Sequence, residues 1–236
     1  MSASVVLFDL DDTLFAHRES VESGIAAHRS TLGGAIAAAD RAAEFARWNA
    51  LEELHYHRYL SGELDFLEQR RERVRGFLQP YGLTLDGDDA ADSWYDAYYV
   101  HYETAWALHP DALPCLDAIN ARFGIITNGS LDFQSAKIAG VGLDRRLEHV
   151  IASGEVGIAK PDPRIFAIAC GVFEVEPSDA VYVGDRLHTD AIGAARAGLL
   201  GVWLDRAGIA SSAQLAEAAA EGVPVIRSLA DLPGLL

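Results

Sequence analysis

Near its amino terminus the chain reads Val5-Val6-Leu7-Phe8-Asp9-Leu10-Asp11-Asp12-Thr13-Leu14, so that four apolar residues run directly into a cluster of acids. An unbroken apolar run of this kind is typical of a strand buried on both faces, and such strands belong to parallel sheets covered by helices. The acids follow the strand's carboxyl end, which is where ligands bind in open α/β sheets. Crowded carboxylates repel one another unless a cation lies between them, and oxygen ligands favour a hard ion such as Mg²⁺. The stretch therefore predicts a metal-dependent site at the end of a buried strand.

The composition restricts the classes of protein and partner that fit this chain. Its 236 residues, of which 50% are hydrophobic, allow one large domain or a core with a smaller insertion. With 19 Lys and Arg against 35 Asp and Glu, the net charge is −16, and this field repels phosphate polymers. We therefore expect neither nucleic acid nor a membrane as the main partner. The first residues contain no signal or membrane-spanning pattern, which predicts a cytoplasmic protein. Cys115 and Cys170 are isolated and are interpreted as core thiols rather than a disulfide or a zinc site.

The region from residue 16 to residue 107 has a helical pattern, rich in Ala, Leu, Glu and Arg. Breaks near Gly33-Gly34, Ser61-Gly62 and Pro80-Tyr81-Gly82 divide it into about four helices, which suits an antiparallel bundle with short connections. Pro110 disfavours continuation of the last helix and marks the return to a different pattern. We expect an inserted all-α domain over residues 16–107.

After residue 122, strand-like and helix-like segments alternate. Predicted strands are Gly124 to Thr127, His149 to Ala152, Ala180 to Gly184, Gly201 to Leu204 and Pro224 to Ile226, with helices beginning at Asp132 and Pro163 and spanning Asp190 to Ala197 and Ser212 to Ala220. Such alternation predicts a doubly wound, mostly parallel, Rossmann-like sheet. The α/β core is therefore expected to comprise residues 1–15 and 108–236.

The segment Asp9-Leu10-Asp11-Asp12-Thr13 resembles the first motif of the haloacid dehalogenase-like hydrolases, a superfamily of aspartyl-phosphate enzymes. The resemblance implies that Asp9 is the nucleophile that attacks phosphorus. It also implies that Asp11 protonates the leaving alcohol and later takes a proton from the hydrolytic water. Thr13 would support the turn.

Two further segments resemble the second and third motifs of that family. In Ile125-Ile126-Thr127-Asn128-Gly129-Ser130, the resemblance implies that the Thr127 hydroxyl and the backbone N–H groups that follow, beginning with Asn128, bind the phosphoryl group. In Gly157-Ile158-Ala159-Lys160-Pro161-Asp162-Pro163-Arg164-Ile165-Phe166, it implies that Lys160 neutralises both the nucleophile and the phosphate. Each segment follows or lies close to a predicted strand end.

The segment Val181-Tyr182-Val183-Gly184-Asp185-Arg186-Leu187-His188-Thr189-Asp190 resembles the fourth motif. The resemblance implies that Asp185 binds Mg²⁺ together with the Asp9 carboxylate and the Asp11 backbone carbonyl. Asp190 is interpreted as a supporting residue that holds Lys160 or a metal-bound water, or as a charge at the start of the next helix. Four motifs in this order imply a Mg²⁺-dependent hydrolase of a small phosphate ester.

Several alternatives on the same fold remain. The helical insertion after the first motif matches the cap of a branch that includes small-molecule phosphatases, 2-haloacid dehalogenases and sugar-phosphate mutases. Dehalogenases usually carry an aromatic residue at the place of Asp11, and mutases typically have Gly-Val in place of Asp12-Thr13. A phospho-accepting signalling module carries its acceptor on a middle strand, and a non-catalytic module would normally have lost Asp9, Asp11 or Lys160. Transfer to water is therefore the favoured prediction.

The insertion is expected to choose the substrate without carrying out the chemistry. Candidate side chains are Phe15, His17 and Arg18 at the first crossing and His55, His57 and Arg58 before the Ser61-Gly62 break. The oligomeric state stays open between monomer and homodimer. The aromatic helix with Trp94, Tyr95, Tyr98, Tyr99 and Tyr102 is interpreted as cap core rather than interface.

Overall fold

The chain consists of an α/β unit and a helical unit, and the computed structural model describes residues 4–236. The α/β unit combines residues 4–16 with Ala107–Leu236, and the helical unit is His17–Trp106. Each boundary lies one residue away from the division predicted at residues 15/16 and 107/108.

The α/β unit contains a single six-stranded sheet in which every pair of neighbouring strands is parallel. The strands are β1 Val5–Phe8, β2 Arg122–Thr127, β3 His149–Ala152, β4 Ala180–Gly184, β5 Leu200–Leu204 and β6 Val225–Ile226. Their order across the sheet is β3-β2-β1-β4-β5-β6. This is the Rossmann order, in which the direction of winding reverses beside β1. The sheet confirms the predicted doubly wound α/β fold and places the fully buried β1 between β2 and β4.

The helical unit has four longer helices and one short one. They are α1 His17–Leu32, α2 Gly34–Ala38, α3 Arg41–Leu60, α4 Phe66–Leu78 and α5 Gly87–Thr104. The three predicted breaks all fall at helix ends. A further break, which precedes Asp40, was not predicted. It occurs because the Asp40 carboxylate caps α3 by accepting from the N–H of Ala43 at 2.8 Å.

The core of the helical unit is aromatic. Helix α1 packs against α3 and α5, and α4 packs against the same two helices. The ring of Trp48 lies in the middle, 5.1 Å from that of Phe77 and 4.8 Å from that of Tyr98. Trp94, Tyr95, Tyr98 and Tyr102 are buried, while Tyr99 is half-buried. No helix within residues 4–236 combines the length and the apolar character needed to cross a membrane.

The remaining helices cover the sheet of the α/β unit. They are α6 Ala112–Ala118, α7 Leu131–Gly140, α8 Ser153–Val156, α9 Pro163–Phe173, α10 Gly193–Arg196 and α11 Ser212–Ala220. The helix predicted from Asp190 starts earlier, with a wide π-helical turn over Leu187–Ile192 before α10. The Asp190 carboxylate accepts from the backbone N–H of Arg186 at 2.9 Å, so it lies inside this turn and is buried. Cys115 and Cys170 are buried free thiols, as predicted.

Candidate active site

The first motif forms a tight turn at the end of β1. The N–H of Asp9 donates to the carbonyl of Val183 at 2.8 Å, so the pairing of β1 with β4 extends to the proposed nucleophile. Asp12 then adopts a left-handed conformation with φ of 61°, which aspartate tolerates better than most residues. Its N–H donates to the carbonyl of Phe15 at 2.7 Å. The Thr13 hydroxyl donates to Asp9 Oδ2 at 3.4 Å, so Thr13 contacts the carboxylate of the proposed nucleophile.

Lys160 lies at the centre of the buried charges. Its ammonium donates to Asp9 Oδ1 at 2.6 Å, to Asp190 Oδ1 at 2.7 Å and to the Tyr182 hydroxyl at 2.7 Å. Burial opposes the charged form of Lys160, but the charges of Asp190 and Asp9 outweigh burial and hold its pKa above the usual value. With all three ammonium protons engaged, the lysine is held as a cation against the Asp9 carboxylate.

The second and third motifs are joined through Asn128. Its side-chain amide donates to the Lys160 carbonyl at 3.0 Å, and its Oδ1 accepts from the Lys160 N–H at 2.8 Å. The side chain is therefore occupied with the Lys160 peptide, and a phosphate contact from Asn128 would have to come from its backbone N–H. The Gly129 N–H, which follows, donates to the Ser153 hydroxyl at 3.0 Å.

Two carboxylates in this site carry raised pKa values. Burial, only partly offset by Lys160, raises the pKa of Asp9 to about 7. Burial and the charges of Asp9 and Asp190 raise the pKa of Asp185 to about 8. Carboxylate oxygens of Asp9, Asp185 and Asp190 lie within 4.8 Å of one another. Clustered carboxylates whose repulsion Lys160 offsets only in part fit a hard divalent cation such as Mg²⁺.

Asp11 is held by the helix that follows the second motif. Lys137, on α7, donates to both Asp11 carboxylate oxygens, at 2.7 Å to Oδ1 and 2.9 Å to Oδ2. Gln134, one turn earlier, donates from Nε2 to Asp11 Oδ2 at 3.0 Å and to the Thr127 hydroxyl at 2.6 Å. Thr127 and Asp11, which belong to different motifs, are thus connected through one amide.

Four residues that contact the predicted site residues were not predicted from the sequence. Tyr182 binds Lys160 and donates to the Ile126 carbonyl at 2.9 Å, and its signal was a hydroxyl inside the apolar β4 run. Gln134 and Lys137 stand three positions apart on a helix that starts right after the second motif, a spacing that puts both on one face. Arg206 follows β5 and donates to the Thr13 carbonyl at 2.7 Å, and no pattern in the sequence pointed to it.

Several side chains proposed for substrate choice are already engaged. Phe15, which belongs to the α/β unit, is fully buried. In the helical unit, His55 is buried and its Nδ1 accepts from Arg58 at 3.2 Å, while Arg58 also pairs with Glu63 at 2.6 Å. Burial and the neighbouring Arg58 lower the pKa of His55. His57 is exposed and lies 3.7 Å from the carboxylate of Glu53.

Comparison with known proteins agrees with the arrangement of motifs. A family model, described as haloacid dehalogenase-like hydrolase, matches residues 3–198. The chain belongs to the haloacid dehalogenase-like hydrolases. Within this family, phosphoserine phosphatase of Thermus thermophilus is 34% identical over 225 residues, covering 86% of this chain and 88% of the relative. The (S)-2-haloacid dehalogenase 1 of a Pseudomonas species is 27% identical, and the alignment covers 75% of this chain and 74% of the relative.

A solved structure supports the fold independently of close sequence similarity. The haloacid dehalogenase-like hydrolase YfnB of Bacillus subtilis, bound to magnesium, superposes with a TM-score of 0.78 at 18% identity. The match covers 100% of this chain and 99% of that protein. At this level of identity the similarity establishes the fold alone. The family match identifies the chain as an enzyme of the hydrolase family.

Proposed function

We propose that this chain is a Mg²⁺-dependent phosphomonoester hydrolase that acts on a small phosphorylated metabolite through an aspartyl-phosphate on Asp9. The observation that carries the proposal is the pairing of the Asp9 carboxylate with the buried Lys160 ammonium at 2.6 Å. The neighbouring Asp185, whose pKa is raised, supports it. The lysine supplies one positive charge, and the remaining carboxylates create the need for a second cation. Residues suited to hold Mg²⁺ are Asp9, Asp185 and the Asp11 carbonyl, and the ion would neutralise phosphate charge when bound.

The chain's own residues account for the two halves of the reaction. In the first, an Asp9 carboxylate oxygen forms a bond to phosphorus while the phosphorus–oxygen bond to the alcohol breaks. The Asp11 carboxyl gives its proton to the departing oxygen. In the second half, water attacks phosphorus, Asp11 takes the water proton, and the bond from Asp9 to phosphorus breaks. The Thr127 hydroxyl holds a phosphoryl oxygen during both halves, and the Lys160 charge offsets the negative charge of the phosphoryl group.

The presence of Asp11 favours phosphoryl transfer to water over halide displacement. A dehalogenase nucleophile attacks carbon and expels a halide, which needs neither a proton nor a metal. The chain nevertheless holds Asp11 with three hydrogen bonds, and it groups further carboxylates beside Asp9. The phosphatase among the relatives supports the same choice. A mutase or a non-catalytic module is less consistent with Asp12-Thr13 and with the presence of Asp9, Asp11 and Lys160.

The chemical partner we propose is a small phosphate ester. A net charge of −16 disfavours phosphate polymers, while the buried Lys160 provides the local positive charge that a single phosphate group requires. We propose that the enzyme works as a monomer or a homodimer in the cytoplasm. We expect that screening a panel of phosphomonoesters will identify the substrate.

The test combines a panel of phosphomonoesters with a variant of the nucleophile. We expect hydrolysis that requires Mg²⁺ and is abolished by excess chelator. Asp9→Asn should fold normally and lose turnover, because an amide cannot form the aspartyl-phosphate. The matched control is Asp132→Asn, which alters an exposed acid on α7 and should retain activity. Release of chloride from 2-chloropropionate in place of phosphate release, or full activity in chelator, would contradict the proposal.

A further inference from the structure

Lysine is rare in this chain, and both of its lysines bind an aspartate of the first motif. Of the 19 Lys and Arg residues, only Lys137 and Lys160 are lysines. Lys160 binds Asp9, and Lys137 binds Asp11. Both are buried, with 5% and 9% of their surface exposed, whereas lysine is ordinarily among the most exposed residue types. Only Lys160 belongs to a motif of the proposed mechanism, so the burial of Lys137 needs its own explanation.

The Lys137 ammonium contacts Asp11 in a way that limits how the carboxyl can turn. It lies 2.7 Å from Oδ1 and 2.9 Å from Oδ2, so it bridges both oxygens. Its position is further limited by the Phe15 ring, whose centroid is 5.3 Å from Nζ. A compact ammonium can approach both oxygens from one side, which the broad guanidinium of arginine would do only with more space.

Gln134 adds a third bond and connects Asp11 to the phosphate-binding hydroxyl. A carboxylate can only accept, so the bond to Asp11 Oδ2 identifies the donating atom as Nε2. The second proton of the same amide goes to the Thr127 hydroxyl at 2.6 Å. Thr127 therefore accepts from Gln134 and can donate its own proton to a phosphoryl oxygen.

We propose that Lys137 and Gln134 are positioning residues that hold the Asp11 carboxyl in one orientation for both proton transfers and keep it aligned with Thr127. The proposal rests on the proposed phosphatase function. Asp11 must meet the leaving oxygen in the first half of the reaction and the water in the second, so its carboxyl has to stay in place as its charge changes. Misplacement of a reacting group by about 1 Å can cost on the order of 10²-fold in rate.

The first test compares substrates that depend on Asp11 to different degrees. Lys137→Met and Gln134→Met remove the donors while keeping much of the side-chain volume. On an alkyl ester such as glycerol phosphate, we expect kcat to fall about 10- to 100-fold with KM changed less than about 3-fold. On p-nitrophenyl phosphate, whose leaving group needs no proton, the first-turnover burst of nitrophenolate should fall by less than about 3-fold. The matched control, Arg146→Met, removes a half-buried cation that pairs with the exposed Asp117 and should behave as the parent.

The second test asks whether Lys137 acts through Asp11. In an Asp11→Asn background, adding Lys137→Met should cost less than about 3-fold more on glycerol phosphate, because the group that it positions is already disabled. A purely structural lysine would reduce activity by the same factor in both backgrounds. Multiplicative losses, or equal losses on the alkyl and aryl esters, would overturn the positioning role while leaving the phosphatase function intact. A parent enzyme that hydrolyses no phosphomonoester would overturn the proposed function and this inference with it.

A spectroscopic measurement checks the contact without any substrate. Protein labelled with ¹⁵N at lysine Nζ should give two side-chain signals, since the chain has two lysines. Lys137→Met identifies one of them by its loss. Asp11→Asn should shift the Lys137 signal strongly, and an unchanged Lys137 signal would overturn the contact.

Discussion

At the scale of single residues, the site is defined by acids that are held close together against their repulsion. Partial burial and the charges of Asp9 and Asp190 keep the pKa of Asp185 at about 8, compared with 3.8 for an ordinary aspartate. Between pH 3.8 and about pH 8, Asp185 holds a proton in the folded chain that it has released in the unfolded chain. The free energy of unfolding therefore falls as pH rises through this range, because the charged form is the one that the fold disfavours.

This linkage predicts a pH-dependent stabilisation by Mg²⁺. A cation bound by Asp9 and Asp185 replaces the protons, so saturating Mg²⁺ should raise the unfolding temperature more at pH 8 than at pH 6. We expect a difference of roughly 2–4 °C, which corresponds to about 1 kcal/mol in a chain of this size. Thermal unfolding with and without Mg²⁺ measures it. Asp185→Asn is the control and should remove most of the difference, whereas an equal Mg²⁺ effect at both pH values in the parent would contradict the metal assignment.

At the scale of structural elements, the end of β4 and the π-helical turn after it position Lys160 through Asp190. Gly184 closes the strand, and a Cβ at this position would lie 2.4 Å from the Cβ of Asp190 and 2.5 Å from its Cγ. Asp190 is buried and bonded to both Lys160 and the Arg186 N–H, so it has little room to move. The glycine is therefore needed for the close approach of strand and turn.

Gly184→Ala should disturb stability and catalysis together. The added methyl group has to displace Asp190, which we expect to lower the free energy of unfolding by about 1–3 kcal/mol. Displacement of Asp190 removes one of the three partners of Lys160, so kcat should fall by at least about 10-fold. Urea unfolding and steady-state kinetics measure the two effects. Gly171→Ala on α9 is the matched control, because nothing lies within 4 Å of its added Cβ and both quantities should be retained.

At the scale of the whole molecule, the residues of the proposed chemistry all belong to the α/β unit. The residues proposed for phosphate binding and nucleophilic attack would meet the phosphate group that all phosphate esters share, so they do not distinguish one ester from another. The helical unit contributes none of these residues and is our candidate for substrate selection. Its polar group before the Ser61-Gly62 connection contains two accessible members, His57 and Arg58.

A double variant, His57→Ala with Arg58→Ala, tests this division of labour. His55 itself is left in place, because replacing this buried side chain would disturb the helical unit further than the loss of its partner Arg58 does. We expect relative rates across a panel of phosphate esters to change, while the Mg²⁺ requirement and the hydrolysis of p-nitrophenyl phosphate stay close to those of the parent. Arg41→Ala, which removes an exposed partner of Glu22 in the same unit, is the control and should keep the parent's order of substrates. A uniform loss on every substrate would show that these side chains do not select.

Much of this protein could be predicted from short stretches of sequence. The apolar run of β1, the acids directly after it and the alternation of strands and helices depend on neighbours within a few residues, and these are the patterns that local conformation follows. For the same reason, His149–Ala152, Ala180–Gly184 and Ser212–Ala220 have the predicted bounds. The break before Asp40 and the wide turn at Leu187–Ile192 were missed, because each depends on one side chain satisfying a backbone group.

The sequence by itself determined the class of sheet and the order of the four motifs, because both depend on local periodicity and spacing. The tertiary structure decided which side chains meet: the Lys137–Asp11 pair, 126 positions apart, was not predicted, and the Lys160–Asp9 pair, 151 positions apart, was implied only by the family resemblance. No local sequence pattern connects the residues of such a pair, since they come together only when parallel strands bring their carboxyl ends to the same edge of the sheet. The same placement gives Tyr182, inside an apolar strand, its bond to Lys160. The physical reason is that strand order and register, rather than distance along the chain, set which charges share a buried site.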